Sequence, residues 1–372
     1  MAKQNSAHGK KSAGKKGQKN KRKKRKLIIV GIEILILLGI LAWIWINGKM
    51  DKLNTDVSFH EKDVRTELPE ETIDVLGEYT TIALFGLDNR EENSYNSGNS
   101  DVIMVARIDK ETKEVRLVSV YRDTFLKMAD LDNPNAYSKA NAAYAVGGPQ
   151  QAVRMLNTNL DLDIREYVSF DFSAVAEAVD ILGGVEIEVT AEEAGHLNNY
   201  CVETSRVTGK SYTPLPGAGT YNLNGVQAVS YGRIRYTLGD DFKRTERQRL
   251  VVNKLVEKAL KSDMGTINEL IDTVFPQIQT SLSKTEIINL AKDAFNYKMG
   301  ENAGFPFDRE NEEVSISYQK SKQDCVIPAD LSSNVKKLHD FLYGTNSYRV
   351  TDSVEGISAE IEYRTGVSAK SE

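Results

Sequence analysis

The sequence predicts an α/β fold: a single layered domain with a central mixed sheet flanked by helices, preceded by one N-terminal transmembrane helix. Two observations carry this. Short apolar runs bounded by polar turns alternate with segments of helical periodicity from residue 80 to residue 343, the pattern of helices on both faces of one sheet. Before that stretch, Leu27 to Ile46 is twenty residues that are apolar or glycine apart from Glu33. At about 1.5 Å per residue, such a run crosses a hydrocarbon core of about 30 Å.

Residues 1–26 hold twelve Lys or Arg and no acid. That composition cannot bury a core, so the segment reads as a disordered basic tail. A secretory signal also starts basic and continues apolar. Here the run is long for a signal, ends in Trp43 and Trp45, and is followed by no small-x-small cleavage site. An uncleaved anchor over 27–46 is therefore expected, with its aromatic end at the interface. The positive-inside rule then makes the chain a single-pass protein of the cell membrane, with a cytoplasmic N-terminus and the residues after about 48 extracellular. Glu33 lies two turns from the cytoplasmic end, where a protonated or snorkelling side chain accounts for it.

Of 53 acids, 52 lie beyond residue 46, against 36 of the 48 bases, which leaves the outer part at about −16. An acidic domain with a few concentrated arginines suggests a specific anion site, and no nucleic-acid partner is expected. Attraction of the tail to anionic lipid is the plain reading of its charge.

Residues 47–79 are acidic and polar and read as an extracellular spacer with one short helix. Strands follow at 81–85, 102–106 and 115–120, with a polar loop at 93–99 between the first two. Lys139 to Leu160 reads as a short helix, a turn at Gly147-Gly148 and a second helix from Pro149, which suits a first turn. A strand at 167–170, a helix at 172–182 stopped by Gly183-Gly184, and an alternating strand at 185–189 come next. Residues 195–222 read as a long loop or hairpin. A long helix from Thr245 to about Lys261 carries Val251, Val252, Leu255, Val256 and Leu260 as its apolar stripe. Helices near 265–274 and 284–297, a strand at 314–318 and a helix at 330–343 close the domain, and the polar tail 344–372 is expected to be loosely ordered. Cys201 and Cys325 are the only cysteines; outside the membrane a disulfide is permissible, and their separation leaves the pairing open.

Five short stretches sit at the ends of these elements: Gly86 to Arg90, Asn99 to Asp101, Ser119 to Thr124, Gly232 to Arg235 and Arg244 to Arg249. They gather arginines and aspartates without the Ser/His or Cys/His pairs of nucleophilic catalysis. Asp88 ends one strand and Asp101 begins the next, so antiparallel neighbours would bring both carboxylates together. One or two carboxylates with phosphate oxygens is how Mg²⁺ is usually held, although loop aspartates also cap turns. Arg233 and Arg235 alternate about Ile234, so both guanidiniums face one site if Ile234 faces a core. Arginine's planar fork matches phosphate oxygens and stays charged when partly dry. Single arginines at element ends often pair with nearby acids instead; several at consecutive ends favour an anion pocket.

The ordered set of Gly86-Leu87-Asp88, Ser100-Asp101, Ser119-Val120-Tyr121-Arg122-Asp123-Thr124, Lys139 to Tyr144 with Gly147-Gly148, Asp180 to Val185, Arg233-x-Arg235 and Arg244-x-x-Arg247-Gln248 resembles the LytR–CpsA–Psr family. The resemblance is strong over about 80–260. It implies a membrane-anchored phosphotransferase moving an anionic glycopolymer, teichoic acid or capsular polysaccharide, from a polyprenyl pyrophosphate carrier to a peptidoglycan sugar hydroxyl. It also implies Mg²⁺ on Asp88 and Asp101, and pyrophosphate on Arg122, Arg233, Arg235, Arg244 and Gln248. Arg90 and Arg247, in the same stretches, are added as pyrophosphate candidates, and the polyprenyl chain would lie in an apolar tunnel between sheet and helices. Arg122 and Asp123 are the candidate catalytic pair, with Asp123 either a base or the group that orients Arg122. Asn99 stands where the family often has arginine and Tyr121 where it usually has proline, which changes one phosphate contact and one backbone constraint. A lipid pyrophosphatase, a regulator without turnover and a polymer-binding scaffold are the alternatives.

Overall fold

The computed structural model describes residues 48–49, 51–87, 98–235, 240–345 and 347–369. The expected tail and membrane span, 1–46, lie outside the described residues, and no helix among those described is long and apolar enough to cross a membrane. The chain divides into Met1–Asp51 and Lys52–Glu372, and the second unit holds the α/β fold.

Seven strands form the central sheet: β1 (Asn54–Thr55), β2 (Tyr79–Leu87), β3 (Ser100–Asp109), β4 (Glu114–Val120), β7 (Glu166–Asp171), β10 (Ile278–Thr280) and β11 (Lys298–Phe305). Their order is β1-β10-β7-β2-β3-β4-β11. β2 runs antiparallel to β3 and parallel to β7, and β11 runs parallel to β4, so the sheet is mixed, as expected. Three hairpins stand outside it: β5 (Phe125–Lys127) with β6 (Tyr137–Lys139), β8 (Val185–Val189) with β9 (Gly219–Leu223), and β12 (Arg309–Val314) with β13 (Gln323–Pro328).

Side chains alternate across the strands, so the two faces pack different helices. Ile103 and Val105 of β3 and Val118 and Val120 of β4 join the larger core. That core holds α2 (Ala142–Leu160), α9 (Leu331–Tyr343) and α10 (Asp352–Thr365) through Val153, Leu156, Leu338, Ile357 and others. Ala106 and Leu117 face the opposite way, toward Val252. Val252 lies on α6 (Asp240–Ala259), beside α3 (Phe172–Ile181), α4 (Ala191–Thr208) and α5 (Gly225–Tyr231), which share a second core of Val179, Leu197, Val226 and Val251. α1 (Glu70–Leu76), α7 (Met264–Val274) and α8 (Lys284–Lys292) complete the helices among the described residues.

Most expected elements are present. α2 bends where its two halves were expected to join, at Gly147 and Gly148, the latter at φ 63°. Gly225 starts α5 against α3, where a Cβ would lie 2.2 Å from the Ala176 carbonyl oxygen.

Four expectations are corrected. Residues 195–208 are not loop but the body of α4, which a capping box between Thr190 and Glu193 starts and whose Ala194, Leu197, Cys201 and Thr204 recur at helical spacing to form a buried stripe. The strand expected at 314–318 lies earlier, as β12; the chain leaves it after Val314 and Tyr318 takes φ 68°. The polar end after 344 contains α10, capped by Thr351 and anchored by buried Val354, Ile357 and Ile361. The presumed spacer joins the domain: Thr55 pairs with Thr280, and Val64 is wholly buried in the main core. Its apolar residues are too isolated to show a period. Cys201 and Cys325 are both free and buried.

The C-terminal helices dock around His339. It is buried, stacks on Tyr348 at 3.6 Å and donates a hydrogen bond from Nε2 to the Leu160 carbonyl at 2.9 Å. Burial depresses its pKa to about 4. The unfolded chain, with a histidine pKa near 6.5, therefore binds more protons between those values, so this contribution to stability is intact above about pH 6.5 and is lost as pH falls toward 4. The loss amounts to roughly 3 kcal/mol. Urea titrations should show the pH dependence of stability between pH 7 and 4 becoming shallower in His339→Gln; equal slopes would contradict this.

Candidate phosphate and lipid site

The site gathers at one end of β2, β3 and β4. β2 and β3 are indeed neighbours, and their register shifts between Gly86↔Val102 and Leu87↔Ser100, which leaves Asp101 as an extra residue in the ladder. Such a bulge re-aims a side chain at a strand end. Asp88 and Arg90 lie outside the described residues.

Arg122 follows β4 in a turn held from both sides. Tyr121 N–H donates to the Phe305 carbonyl, and the Arg122 carbonyl accepts from Asn141 N–H. Its guanidinium is clamped: Nη1 donates to Asp101 Oδ1 at 2.8 Å and Nε to Asp123 Oδ2 at 3.2 Å. Lys139 Nζ lies 2.9 Å from Asp123 Oδ1, and Arg235 Nη2 lies 3.7 Å from Asp101 Oδ2. Burial opposes the charge of Asp123, yet Arg122, Lys139 and Arg244 outweigh it and hold the carboxyl below the usual range. An ionised carboxylate engaged by two cations is a poor proton acceptor.

Arg233 and Arg235 flank Ile234, which is wholly buried, and both line one polar cavity of about 210 Å³ with Asp101, Arg244 and Gln248. The segment is a turn at the end of α5 rather than a strand, since Arg233 N–H returns to the Ser230 carbonyl. Arg233 donates to Thr204 Oγ1 and Glu203 Oε2 on α4 and sits 5.0 Å from the Phe172 ring. Arg244 is almost wholly buried on the first turns of α6, with Gln248 four residues on.

An apolar cavity of about 50 Å³ adjoins it, sharing Phe172, Arg233 and Gln248 as walls. Gly86, Val102 and Phe170 line it from the sheet, Val175 and Val229 from α3 and α5, and Val251 and Val252 from α6. One face of α6 thus passes from Arg244 through Gln248 to the valines. The arrangement suits an amphiphile with an anionic head and a hydrocarbon chain.

Arg247 is not brought to the polar cavity. It is buried, donates from Nε to Glu193 Oε1 at 2.8 Å, and reaches the Ile234 carbonyl, so it joins α6 to α4 and to the arginine turn. Sequence reasoning missed these partners, and Tyr200, Phe172 and Lys139 with them. The stripe and capping box of α4 were the signal for Glu193, Glu203 and Tyr200.

For a divalent cation, no group of three His, Cys, Asp or Glu side chains is present among the described residues. Asp101 accepts from Arg122 on Oδ1, while Oδ2 stands 3.7 Å from Arg235 and keeps its lone pairs, so this carboxylate fits a Mg²⁺ that takes its remaining ligands from phosphate and water.

The LytR_cpsA_psr family model matches residues 47–325. The chain is 30% identical over 281 residues to the polyisoprenyl-teichoic acid–peptidoglycan teichoic acid transferase TagU of Enterococcus faecalis, covering 74% of this chain and 84% of that protein. It is 29% identical to biofilm regulatory protein A of Streptococcus mutans, over 54% of this chain and 50% of that one. Among solved structures, protein gbs0355 of Streptococcus agalactiae superposes with a TM-score of 0.59 at 21% identity, over 77% of this chain and 93% of the other.

Removing Arg247 leaves the Glu193 carboxylate, whose side chain is 13% exposed, with the Thr190 N–H of the capping box and without the Arg247 cation. Arg247→Ala should lower unfolding stability by about 3 kcal/mol, the cost of breaking a buried pair. Urea unfolding checks this; an unchanged midpoint would return Arg247 to the ligand-binding set.

Proposed function

The chain belongs to the LytR–CpsA–Psr family, and from that premise we propose that it is a glycopolymer transferase. In this reading it moves a teichoic acid or related anionic polymer from a polyprenyl pyrophosphate carrier to a peptidoglycan sugar hydroxyl. The observation that carries it is the polar cavity of Arg233, Arg235, Arg244 and Gln248 beside an apolar one with which it shares Phe172, Arg233 and Gln248. The E. faecalis relative is named for this transfer.

The acceptor oxygen forms a bond to the polymer-linked phosphorus, the bridging P–O bond breaks, and polyprenyl phosphate departs with the electron pair. The hydroxyl proton passes to the departing phosphate or to water. Such transfer asks little covalent work of the protein; position and charge neutralisation dominate. Arg233, Arg235 and Arg244 neutralise the diphosphate, and the Asp101 and Asp123 clamp fixes Arg122 behind Asp101, which lines the cavity. Asp123 acts as the orienting group, because Arg122 and Lys139 already hold its oxygens. Mg²⁺ held by Asp101 and Asp88 would supply further charge neutralisation. Residues 27–46 span the membrane in this reading, with 1–26 inside and the catalytic domain outside, beside the lipid carrier.

The test uses the full chain in detergent with a polyprenyl-pyrophosphate-linked oligosaccharide and soluble peptidoglycan, with and without Mg²⁺. Wild type should attach saccharide to peptidoglycan. Arg122→Ala should lower the rate by about 10²- to 10³-fold, as loss of a charge-stabilising donor does. It should still unfold cooperatively, since Asp101 retains Arg235 and Asp123 retains Lys139. Saccharide phosphate released without attachment would favour a pyrophosphatase, and a donor bound but intact would remove the enzymatic reading.

A further inference from the structure

We propose that the cleft between β12 and α9 is the acceptor subsite and binds an uncharged amino-sugar chain. The inference rests on the transferase reading and assigns it a second, separate binding surface. The cleft has a volume of about 780 Å³ and is lined by Phe242, Phe307, Asp308, Arg309, Asn311 and Lys337 among others. That volume falls within the range of pockets that enclose organic ligands, roughly 300–1,000 Å³.

Its position relative to the phosphate site follows from three contacts. The Phe242 ring packs edge-on against Tyr121 at 4.7 Å, and Tyr121 immediately precedes Arg122. The Arg309 guanidinium lies 4.1 Å from the Phe242 centroid and 4.8 Å from that of Tyr121. Phe242 also stands two residues before Arg244, which lines the diphosphate cavity. The cleft and the phosphate site therefore meet across the Tyr121–Phe242 pair, where an acceptor hydroxyl must arrive.

Charge separates the two surfaces. The lining of the diphosphate cavity carries Arg233, Arg235 and Arg244 and one carboxylate, Asp101, with Glu203 pairing Arg233 from behind. The lining of the cleft balances two cations, Arg309 and Lys337, with two acids, Asp308 and Glu310, and Lys337 contacts Asp308 directly. Arg309 is further spent on structure, since Nη1 donates to the Pro306 and Phe307 carbonyls at 3.0 and 3.1 Å. A polyanion gains little from such a lining. A sugar does gain, because Phe307 offers apolar surface to its C–H face while the Asn311 amide and the charged pair bond its hydroxyl and acetamido groups. One wall, Ala329 to Lys337, lies beyond residues 47–325, the part matched by the family model.

The test titrates the full chain in detergent with a phosphate-free tetrasaccharide of N-acetylglucosamine, calorimetrically. Asn311→Trp, on an exposed strand position, fills the cleft, and Lys337→Ala removes an exposed polar contact. Wild type and Arg122→Ala should bind the tetrasaccharide with Kd values within twofold of each other. Asn311→Trp should raise Kd at least tenfold and Lys337→Ala several-fold, with melting temperatures unchanged. In the transfer assay, Asn311→Trp should raise KM for peptidoglycan and leave donor affinity unchanged. The proposal is overturned if wild type does not bind the sugar, if both cleft variants bind it normally, or if polyglycerol phosphate binds there in its place. Failure of the transferase reading is distinguishable, for it leaves sugar binding intact and transfer absent.

Discussion

The ion pairs around Arg122 set the terms for everything near them. Burying a guanidinium between two carboxylates costs several kcal/mol of hydration per ion, recovered only where geometry is good and every charge has a partner. Asp101, Asp123, Lys139 and Arg235 supply those partners from four separate segments. The bulge at Asp101, the turn at 121–124 and the short β5–β6 hairpin are each needed to deliver one of them. The local fold at this end of the sheet is the framework such a network requires, and the network holds Arg122 in one orientation before any ligand arrives.

The opposite faces of the sheet illustrate two different uses of apolar surface. One face is packed by α2, α9 and α10 into a continuous core. The other is spanned by α3, α5 and α6 with space left over Gly86 and Val102. Empty apolar space forfeits dispersion contacts and lowers stability. A hydrocarbon chain would restore those contacts, so the unfilled face costs stability in the free protein and contributes affinity in the bound one.

Legibility in the sequence followed the range of the forces involved. The strands at 81–85 and 102–106 announce themselves because burial on both faces makes near-continuous apolar runs, and those at 115–120 and 167–170 because β-branched and aromatic residues recur in them. Arg233 and Arg235 do line one cavity with Ile234 buried between them, but through a turn at the end of α5 and not through the extended alternation that the sequence suggested. α4 was hidden because its polar and aromatic residues resemble a loop when taken singly, and its stripe of Ala194, Leu197, Cys201 and Thr204 is weakly apolar. Arg247 looked like its neighbour Arg244, yet one lines the cavity and the other pairs with Glu193, 54 positions away. Nothing local distinguishes them: the difference lies in which face of α6 meets α4. Lys139 escaped for the same reason, as its partner Asp123 is reached only through the β5–β6 hairpin. Asp88 and Arg90, both named from sequence, fall outside the described residues.

The wall shared by the two cavities has a consequence for selectivity. Because Phe172, Arg233 and Gln248 border both, the position of the reacting phosphorus is measured from the lipid side. The enzyme proposed here thus recognises the handle by which its cargo is carried, and the repeating units beyond the first sugars lie outside that measurement. Transfer removes the handle: the polymer, once joined to the wall, no longer has a tail to hold it in the cleft between sheet and helices. Loss of recognition on completion would then make each turnover its own release step, and would let one protein serve polymers of differing chemistry that share a carrier.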